Sequence, residues 1–263
     1  MNPLTTPLIN GEILFAFVTA VIWTSLRVGG MFMVGPIIGT RAMPMRVRVL
    51  FVMAVSTVLA PLLPPPPLAQ LDALTVLAVL REIAIGVALG FILRLAFEAA
   101  ALAGEMVAQG MALTFAQMAD PLRGAATGGV VGMWFFIAFV LLFLAFNGHT
   151  AMLRLVVESY AALPTSGAGF DAAKLANAVP MFFGQVLAAG LTIALPVMTA
   201  MLVINLAFGV LGRAAPALNP IAVGLPAALI SGMFLLAVLM GELQQPAKTL
   251  FEAAFTAAGD LLR

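Results

Sequence analysis

The 263-residue sequence contains no cysteine, a single histidine and few charged side chains. Charged residues make up 9% of the chain, against about 25% in a typical soluble domain, and 63% of the chain is hydrophobic. The missing cysteines exclude disulfides and thiol chemistry, and one histidine leaves few ligands for a zinc or iron site. A net charge of +1 gives no electrostatic basis for binding nucleic acid. The composition therefore predicts an integral membrane protein without a metal or cofactor.

Motifs of common catalytic classes are also missing. The sequence has no His-Glu-x-x-His, no Gly-x-Ser-Gly, no P-loop and no dinucleotide fingerprint. Its carboxylates are scattered and form no obvious catalytic pair. We therefore interpret the chain as a non-enzyme without catalytic residues.

About six hydrophobic segments joined by short loops predict an all-α fold of membrane-associated helical hairpins. A hydrocarbon core of about 30 Å needs about 20 apolar residues for a spanning helix. Gly86 and Gly90 supply a groove for close helix packing. Pro196 is expected to kink its segment without ending it, and residues 242–263 alternate as an amphipathic helix does. The predicted segments are residues 13–38, 49–63, 74–103, 130–146, 175–211 and 221–240.

Several polar side chains interrupt these segments. Arg27 lies mid-segment, where a charge normally faces protein or water, and an inter-helix anchor is favoured there over an ion path. Arg94 and Glu98 are four residues apart and can pair, and Glu105 could share their helix face if the helix continues. Asn205 is expected to bond a neighbouring helix. We interpret all five as buried polar residues or contacts to partner subunits.

Two short turns carry arginines. Arg41, Arg46 and Arg48 lie in the first turn, residues 39–48, and Arg213 lies in the second, residues 212–220. The positive-inside rule predicts that both turns are cytoplasmic, which places the N-terminus outside. His149 follows an Asn-Gly turn signal, and an interfacial or capping role is favoured over a proton relay because no partner carboxylate is evident.

The stretch AGEMVAQGMALTFAQMADP, residues 103–121, has an unusual polarity for its position between apolar runs. It is too polar for a lipid-facing span and too apolar for a solvated loop. Such a segment is tolerated at membrane depth only when protein buries it or when it lines a wet cavity. Gly104 and Gly110 are expected to loosen the backbone, and Asp120-Pro121 ends any helix. A pore-lining loop and a re-entrant packing loop both fit.

Several motifs together are similar to one family. They are the stretch just described, LFLAFNGH (residues 142–149), ALPVMTAMLVINLAFGVLGRAAPALNP (residues 194–220) and the arginine-rich turn at residues 41–48. The sequence resembles the FliR family, export-gate proteins of the bacterial flagellar type III secretion apparatus. The motifs occur in order across nearly the whole chain. Virulence-associated secretion homologues share the fold and stay an alternative, although the first two motifs look flagellar.

The resemblance implies a location and partners. The family forms the entry to an export channel with FliP and FliQ in the inner membrane at the flagellar basal body, and FlhB associates with it. It implies a FliP-like part at residues 1–174, followed at residues 175–263 by a FliQ-like kinked hairpin and a C-terminal amphipathic helix. Unfolded export substrates and membrane lipid are the other expected partners. Much of the family's core is raised toward the periplasm, so the hydrophobic segments need not all span the bilayer.

The resemblance also implies a plug loop at residues 104–124. The corresponding loop of the family projects into the pore, and apolar constrictions exclude water and ions. Phe115 matches a plug aromatic, whereas Met118 falls where a second aromatic is common. The implied gate residues are Gly110, Met111, Phe115, Met118, Asp120 and Pro121.

Two other hypotheses stay open from the residues. A secondary transporter would suit the broken helices and buried charges, but no inverted repeat is visible. Glu98 and Glu105 could contribute to proton-coupled export, and packing against partner subunits explains them equally well.

Overall fold

Helices form the secondary structure of the described part of the chain. The computed structural model describes residues 11–40, 43–63, 73–113, 129–165, 169–214 and 220–263. Within these ranges it contains α-helices, one short 3-10 helix at Ala60–Leu62 and no strand, which confirms the predicted all-α class. The α-helices are α1 (Gly11–Val34), α2 (Met45–Leu59), α3 (Ala73–Gly110), α4 (Val130–Ala145), α5 (Gly148–Ala162), α6 (Ala172–Ala214), α7 (Pro220–Glu242) and α8 (Gln244–Leu261).

Most of these helices have the length and hydropathy of membrane spans. Five of them qualify within the described residues, and six if α4 and α5 count as one broken span. The five are α1, α2 with its 3-10 turn, α3, α6 and α7. This number agrees with the six hydrophobic segments predicted from the sequence.

Local chemistry explains several helix ends. Asp171 accepts a hydrogen bond from the Ala173 amide at 2.8 Å, so a carboxylate caps the first turn of α6. Between α4 and α5, Asn147 adopts a left-handed backbone with φ of 58°, which confirms the predicted Asn-Gly turn. Gly148 is required there because the Phe143 ring occupies the space that a Cβ would fill. His149 is the second residue of α5 and is exposed.

The helix α3 is longer than predicted, whereas α6 stays close to its predicted bounds and continues through Pro196 as expected. α3 continues to Gly110, beyond the predicted end at residue 103, so Gly104 lies inside a helix and does not loosen the backbone. α6 runs from Ala172 to Ala214 without ending at Pro180 or Pro196. Proline is tolerated inside apolar membrane helices because neighbouring groups satisfy the freed carbonyls.

The chain divides into two compact units. The first comprises Met1–Arg94, His149–Pro180 and Phe255–Arg263, and the second comprises Leu95–Gly148 and Met181–Ala254. α3 and α6 therefore each contribute to both. The sequential division after residue 174, which the resemblance implies, stays a prediction.

Glycines bring α1 and α3 into backbone contact in the first unit. A Cβ on Gly30 would lie 2.8 Å from the Ile83 carbonyl oxygen, and one on Gly86 would collide with the Arg27 carbonyl. Gly90 meets the Met31 backbone in the same way. The predicted packing groove at Gly86 and Gly90 is confirmed, and α1 is the helix that fills it.

A cluster of phenylalanine rings forms the centre of the second unit. Phe251 of α8 packs on Phe97 of α3 and on Phe139 and Phe143 of α4, with ring centroids 5.3 to 5.6 Å apart. These separations suit edge-to-face and tilted aromatic contacts. The C-terminal amphipathic helix thus turns its apolar face into the protein core, and its Lys248–Glu252 pair is exposed.

Candidate functional site

The end of α3 is the described part of the stretch that the sequence singled out. Met111 follows the helix and is buried, with 2% of its surface exposed. Ala112 has φ of 59°, a left-handed conformation that ends the helix, and the Leu113 amide donates to the Ala108 carbonyl at 3.2 Å. Four of the implied gate residues lie outside the described residues. They are Phe115, Met118, Asp120 and Pro121.

The connection that leaves α3 returns at Gly129, where α4 begins beside α3. A Cβ on Gly104 would lie 2.6 Å from the Gly132 Cα and 2.8 Å from the Val131 carbonyl oxygen. Two glycines facing each other allow the backbones of α3 and α4 to touch. Gly104 and Gly132 therefore bring the first turn of α4 within reach of side chains on α3.

Glu105 is the α3 side chain that meets this turn. Its carboxylate Oε1 accepts a hydrogen bond from the backbone N–H of Gly129, the residue that caps α4. The same oxygen lies 2.7 Å from where a Cβ on Gly132 would stand. A half-buried carboxylate at a helix N-terminus is stabilised by the exposed amides and by the helix dipole.

Asn205 contacts the other end of the connection. Its Nδ2 donates a hydrogen bond to the Gly110 carbonyl oxygen at 3.0 Å. A Cβ on Gly110 would lie 3.2 Å from the Met201 Cβ, so a small residue lets α6 approach α3 here. Asn205 thus bonds a neighbouring helix, although its side chain is exposed within this chain.

α6 runs alongside α3 in the same direction through the second unit. Gly190 lies against Ala99, with 2.9 Å between a Cβ on the glycine and the Ala99 carbonyl oxygen. Further along both helices, Met201 lies against Gly110. This register positions Asn205 one turn past the end of α3, where unpaired carbonyls need donors.

An apolar cavity of about 520 Å³ adjoins the same region. Met111 and Leu113 line it from the end of α3, Trp134 from α4, and Met233 and Met240 from α7. Gly232 of α7 gives Met111 its space, because a Cβ there would overlap the methionine side chain. Flexible methionines can fill an irregular apolar space of this kind.

Arg27 is fully buried in the first unit and has several partners there. Its guanidinium forms a fork with the Glu82 carboxylate, with N–O distances of 2.8 and 2.9 Å. It also donates to Ser159 Oγ at 3.1 Å and to the Leu163 carbonyl at 2.8 Å. The guanidinium carbon lies 3.9 Å above the Tyr160 ring. These contacts join α1, α3 and the end of α5, which is the geometry of an inter-helix anchor.

The other predicted polar residues lie apart from the contacts of Glu105 and Asn205 and from those of Arg27. Arg94 and Glu98 are exposed on α3, and Arg46 and Arg213 are exposed near helix ends. Arg48 donates to the carbonyls of Met43 and Thr40, whereas Arg41 is outside the described residues. In the described ranges, no three histidine, aspartate or glutamate side chains come together as metal ligands would.

Sequence reasoning missed four residues that complete these contacts. Glu82, Ser159 and Tyr160 surround Arg27, and Gly132 positions Glu105. A signal for Glu82 existed, since an acidic residue inside an apolar helix normally has a partner. No sequence signal distinguished Gly132 from other glycines.

Comparison with known proteins identifies the family. Residues 18–254 match the family described as bacterial export proteins, family 1. The chain belongs to this family. Flagellar biosynthetic protein FliR of Escherichia coli (strain K12) is 32% identical over 243 residues, which cover 91% of each chain. The FliR protein of Pectobacterium carotovorum is 33% identical over 246 residues and 94% of each chain. That of Caulobacter vibrioides is 34% identical over 221 residues, with 81% of this chain covered. The family predicted from the motifs is confirmed.

Proposed function

We propose that the chain is a core component of the flagellar protein export gate, in the bacterial inner membrane at the flagellar basal body. The family match over residues 18–254 carries the proposal, because the relatives reported above are flagellar biosynthetic proteins. These names favour the flagellar role over the virulence-associated alternative. Five helices with the properties of membrane spans are consistent with this location.

In this role the chain forms a channel with FliP-like and FliQ-like subunits, and an FlhB-like subunit associates with it. Unfolded flagellar subunits pass through the channel, and the contribution of this chain is structural rather than enzymatic. Exposed apolar side chains along α6 and α7 suit contacts with other helices and with lipid, among them Leu202, Leu206 and Phe234.

The segment at residues 110–124 closes this channel at rest. Apolar Met111, Phe115 and Met118 exclude water and ions, since an apolar constriction is closed by dewetting. Two observations support the assignment. The first is the resemblance of the segment to the family's plug loop. The second is the attachment of Gly110 and Gly129 to neighbouring helices in the second unit.

Ion conductance tests the gate. A variant whose residues 114–124 are replaced by a short Gly-Ser linker is assembled with its partner subunits in a planar lipid bilayer. We expect a resting current well above that of the unmodified complex. The matched control changes Arg154 and Glu158 to alanine, because both are exposed on α5, outside the segment and not part of the apolar surface of α6 and α7. Equal resting currents in the linker variant and the unmodified complex would remove the gate assignment.

Copurification tests membership of the complex. After mild detergent extraction from a flagellated host, FliP-like and FliQ-like subunits should be recovered with this chain. Recovery of the chain as a monomer, from membranes that hold those subunits, contradicts the proposal.

A further inference from the structure

We propose that one polar stripe of α3 borders the water-filled passage of the export channel. The stripe consists of Glu98, Glu105 and Gln109, and we call it the α3 stripe. All three residues belong to α3 and to the second unit. The inference rests on the proposed function, because it assigns this surface to the interior of the channel proposed there.

The α3 stripe contains the side chains by which this part of α3 reaches the surface of the chain. Between Leu95 and Gly110 only Glu98 and Gln109 are exposed, and Glu105 is half-buried between them. Every other residue of that stretch is buried or half-buried. The exposed side chains of an otherwise apolar helix are therefore both polar.

Neighbouring helices of the same unit cover the rest of the circumference of α3. Gly104 contacts the backbone of α4, Ala99 lies against α6, and Phe97 packs on a ring of α8. With 3.6 residues per turn, Glu105 and Gln109 each lie within about 20° of Glu98 around the helix axis. The stripe a helix turns toward a packing partner is usually about 100° wide or more. The α3 stripe is too narrow for such a partner, whereas water needs only a narrow opening.

The neighbouring helix α4 shows the opposite pattern. Its exposed residues are all apolar, which suits lipid or an apolar partner surface. They are Val130, Met133, Ile137, Leu141, Leu144 and Ala145. Two packed helices of one unit therefore present surfaces of opposite polarity, and only that of α4 suits hydrocarbon.

The depth of Glu98 along α3 argues against contact with lipid. Glu98 lies about 18 Å before the last residue of α3, since each residue adds about 1.5 Å. It is therefore not a terminal residue whose short side chain could extend to a membrane interface. α3 has the length and hydropathy of a membrane span. Ionisable residues inside such helices normally face the interior of a bundle or a water-filled cavity. Because Glu98 is exposed in this chain, the water-filled cavity fits it.

A polar lining also suits the passage of unfolded polypeptide. Apolar side chains of an unfolded chain gain free energy when they are buried against apolar surface. The α3 stripe offers hydrogen bonds and little apolar area, so passing polypeptide gains little by adhering to it.

Thiol labelling tests the inference directly. The sequence has no cysteine, so Glu98→Cys and Gln109→Cys each introduce one thiol into this chain. Open membrane fragments that hold the assembled complex are treated with a small cationic methanethiosulfonate, which stays in water. The complex is then recovered through a tag on the FliP-like subunit, and the mass of this chain is measured. Variants that fail to assemble are thereby not scored.

The matched control is Ile137→Cys, at a position on α4 that is 51% exposed within the chain. We expect thiols at positions 98 and 109 to react at least about tenfold faster than the control, because the reactive thiolate forms in water. Ala101→Cys changes the side-chain volume little and lies beside Glu98 on the helix, so it assembles even if a substitution of a polar residue does not. Its thiol should also react faster than the control.

Two results would overturn the inference. The first is modification of the thiols in the α3 stripe no faster than that of Ile137→Cys. The second is rapid modification in the chain purified alone in detergent but not in the assembled complex, because a partner subunit would then cover the stripe.

Failure of the inference differs from failure of the proposed function. If the complex assembles and the linker variant conducts while the thiols at positions 98, 101 and 109 stay unreactive, the proposed function stands and the inference is wrong. If the chain is recovered only as a monomer and these thiols react rapidly in its membranes, the α3 stripe faces water. The assignment of that water to an export channel then fails together with the proposed function.

Discussion

The first unit contains a buried ion pair, whereas the second contains a cluster of phenylalanine rings. Arg27 and Glu82 are both fully buried and satisfy each other through two hydrogen bonds. Phe251 packs against three other rings, and none of these apolar contacts needs a charged or hydrogen-bonding partner. Loss of one partner of a buried ion pair leaves an uncompensated charge, whereas loss of one ring leaves a space that its neighbours can partly fill. The two units should therefore respond differently to comparable substitutions.

Glu82→Ala is the substitution with the largest expected effect. It leaves the Arg27 guanidinium buried without its carboxylate, which destabilises by about 3–5 kcal/mol in comparable buried pairs. Thermal unfolding of the detergent-purified chain would measure the loss. The control is Glu158→Gln, which breaks the exposed Arg154–Glu158 pair and should change stability by about 0.5 kcal/mol or less. Similar losses in the two variants would contradict the difference between the buried and exposed pairs.

A double substitution sharpens this result. Replacing Arg27 by Met and Glu82 by Leu removes both charges and keeps apolar volume, so stability should recover relative to Glu82→Ala. A double variant less stable than the single one would show that Arg27 is held chiefly by its other partners.

Gly86→Ala should have an intermediate effect on the first unit. The added methyl group collides with the Arg27 carbonyl, and α1 must move away from α3, which destabilises by about 1–3 kcal/mol. Gly209→Ala is the matched control, because nothing lies within 4 Å of a Cβ at Gly209. In the same unfolding assay the control should be neutral or slightly stabilising. Two variants of equal stability would argue against close packing at Gly86.

Phe251→Leu should have the smallest effect of the three. It removes the ring contacts but keeps an apolar side chain, so we expect a loss of about 1–1.5 kcal/mol. Phe234→Leu is the control on α7, where the ring is 68% exposed. A loss at Phe251 as large as that of Glu82→Ala would abolish the distinction between the two units.

Much of this organisation could be predicted from the sequence. Apolar runs predicted the helices. Arg27 and Asn205 are polar residues inside those runs, and this position predicted that they contact other helices. Their partners could not be predicted, because Arg27 and Glu82 are 55 residues apart and only tertiary packing brings them together. The continuation of α3 was missed because Gly104 is a poor helix former, and its contact with Gly132 outweighs that propensity.

For the candidate site, too, the sequence predicted the residues but not their tertiary partners. The unusual polarity of residues 103–121 identified the stretch that contains Glu105, Gly110 and Met111. The sequence suggested that Glu105 contacts a partner subunit or carries a proton. Its contact with the first turn of α4 could not be predicted, because that contact depends on Gly104 and Gly132, which are far apart in the sequence. The burial of the apolar face of α8 was also unpredictable, because an amphipathic pattern identifies an apolar face without identifying what covers it.

The apolar surface of α6 is longer than the hydrocarbon layer of a membrane is thick, and this bears on how the chain is inserted. Exposed apolar side chains extend along it from Met181 to Leu211, a distance of about 45 Å at 1.5 Å per residue. A hydrocarbon layer of about 30 Å would cover that length only at a tilt beyond the roughly 40° that membrane helices reach. Unless the helix bends or the bilayer thickens locally, part of this surface lies outside the hydrocarbon layer. If the partner subunits proposed above cover that part, the chain needs them at or soon after its synthesis, because exposed apolar surface promotes aggregation.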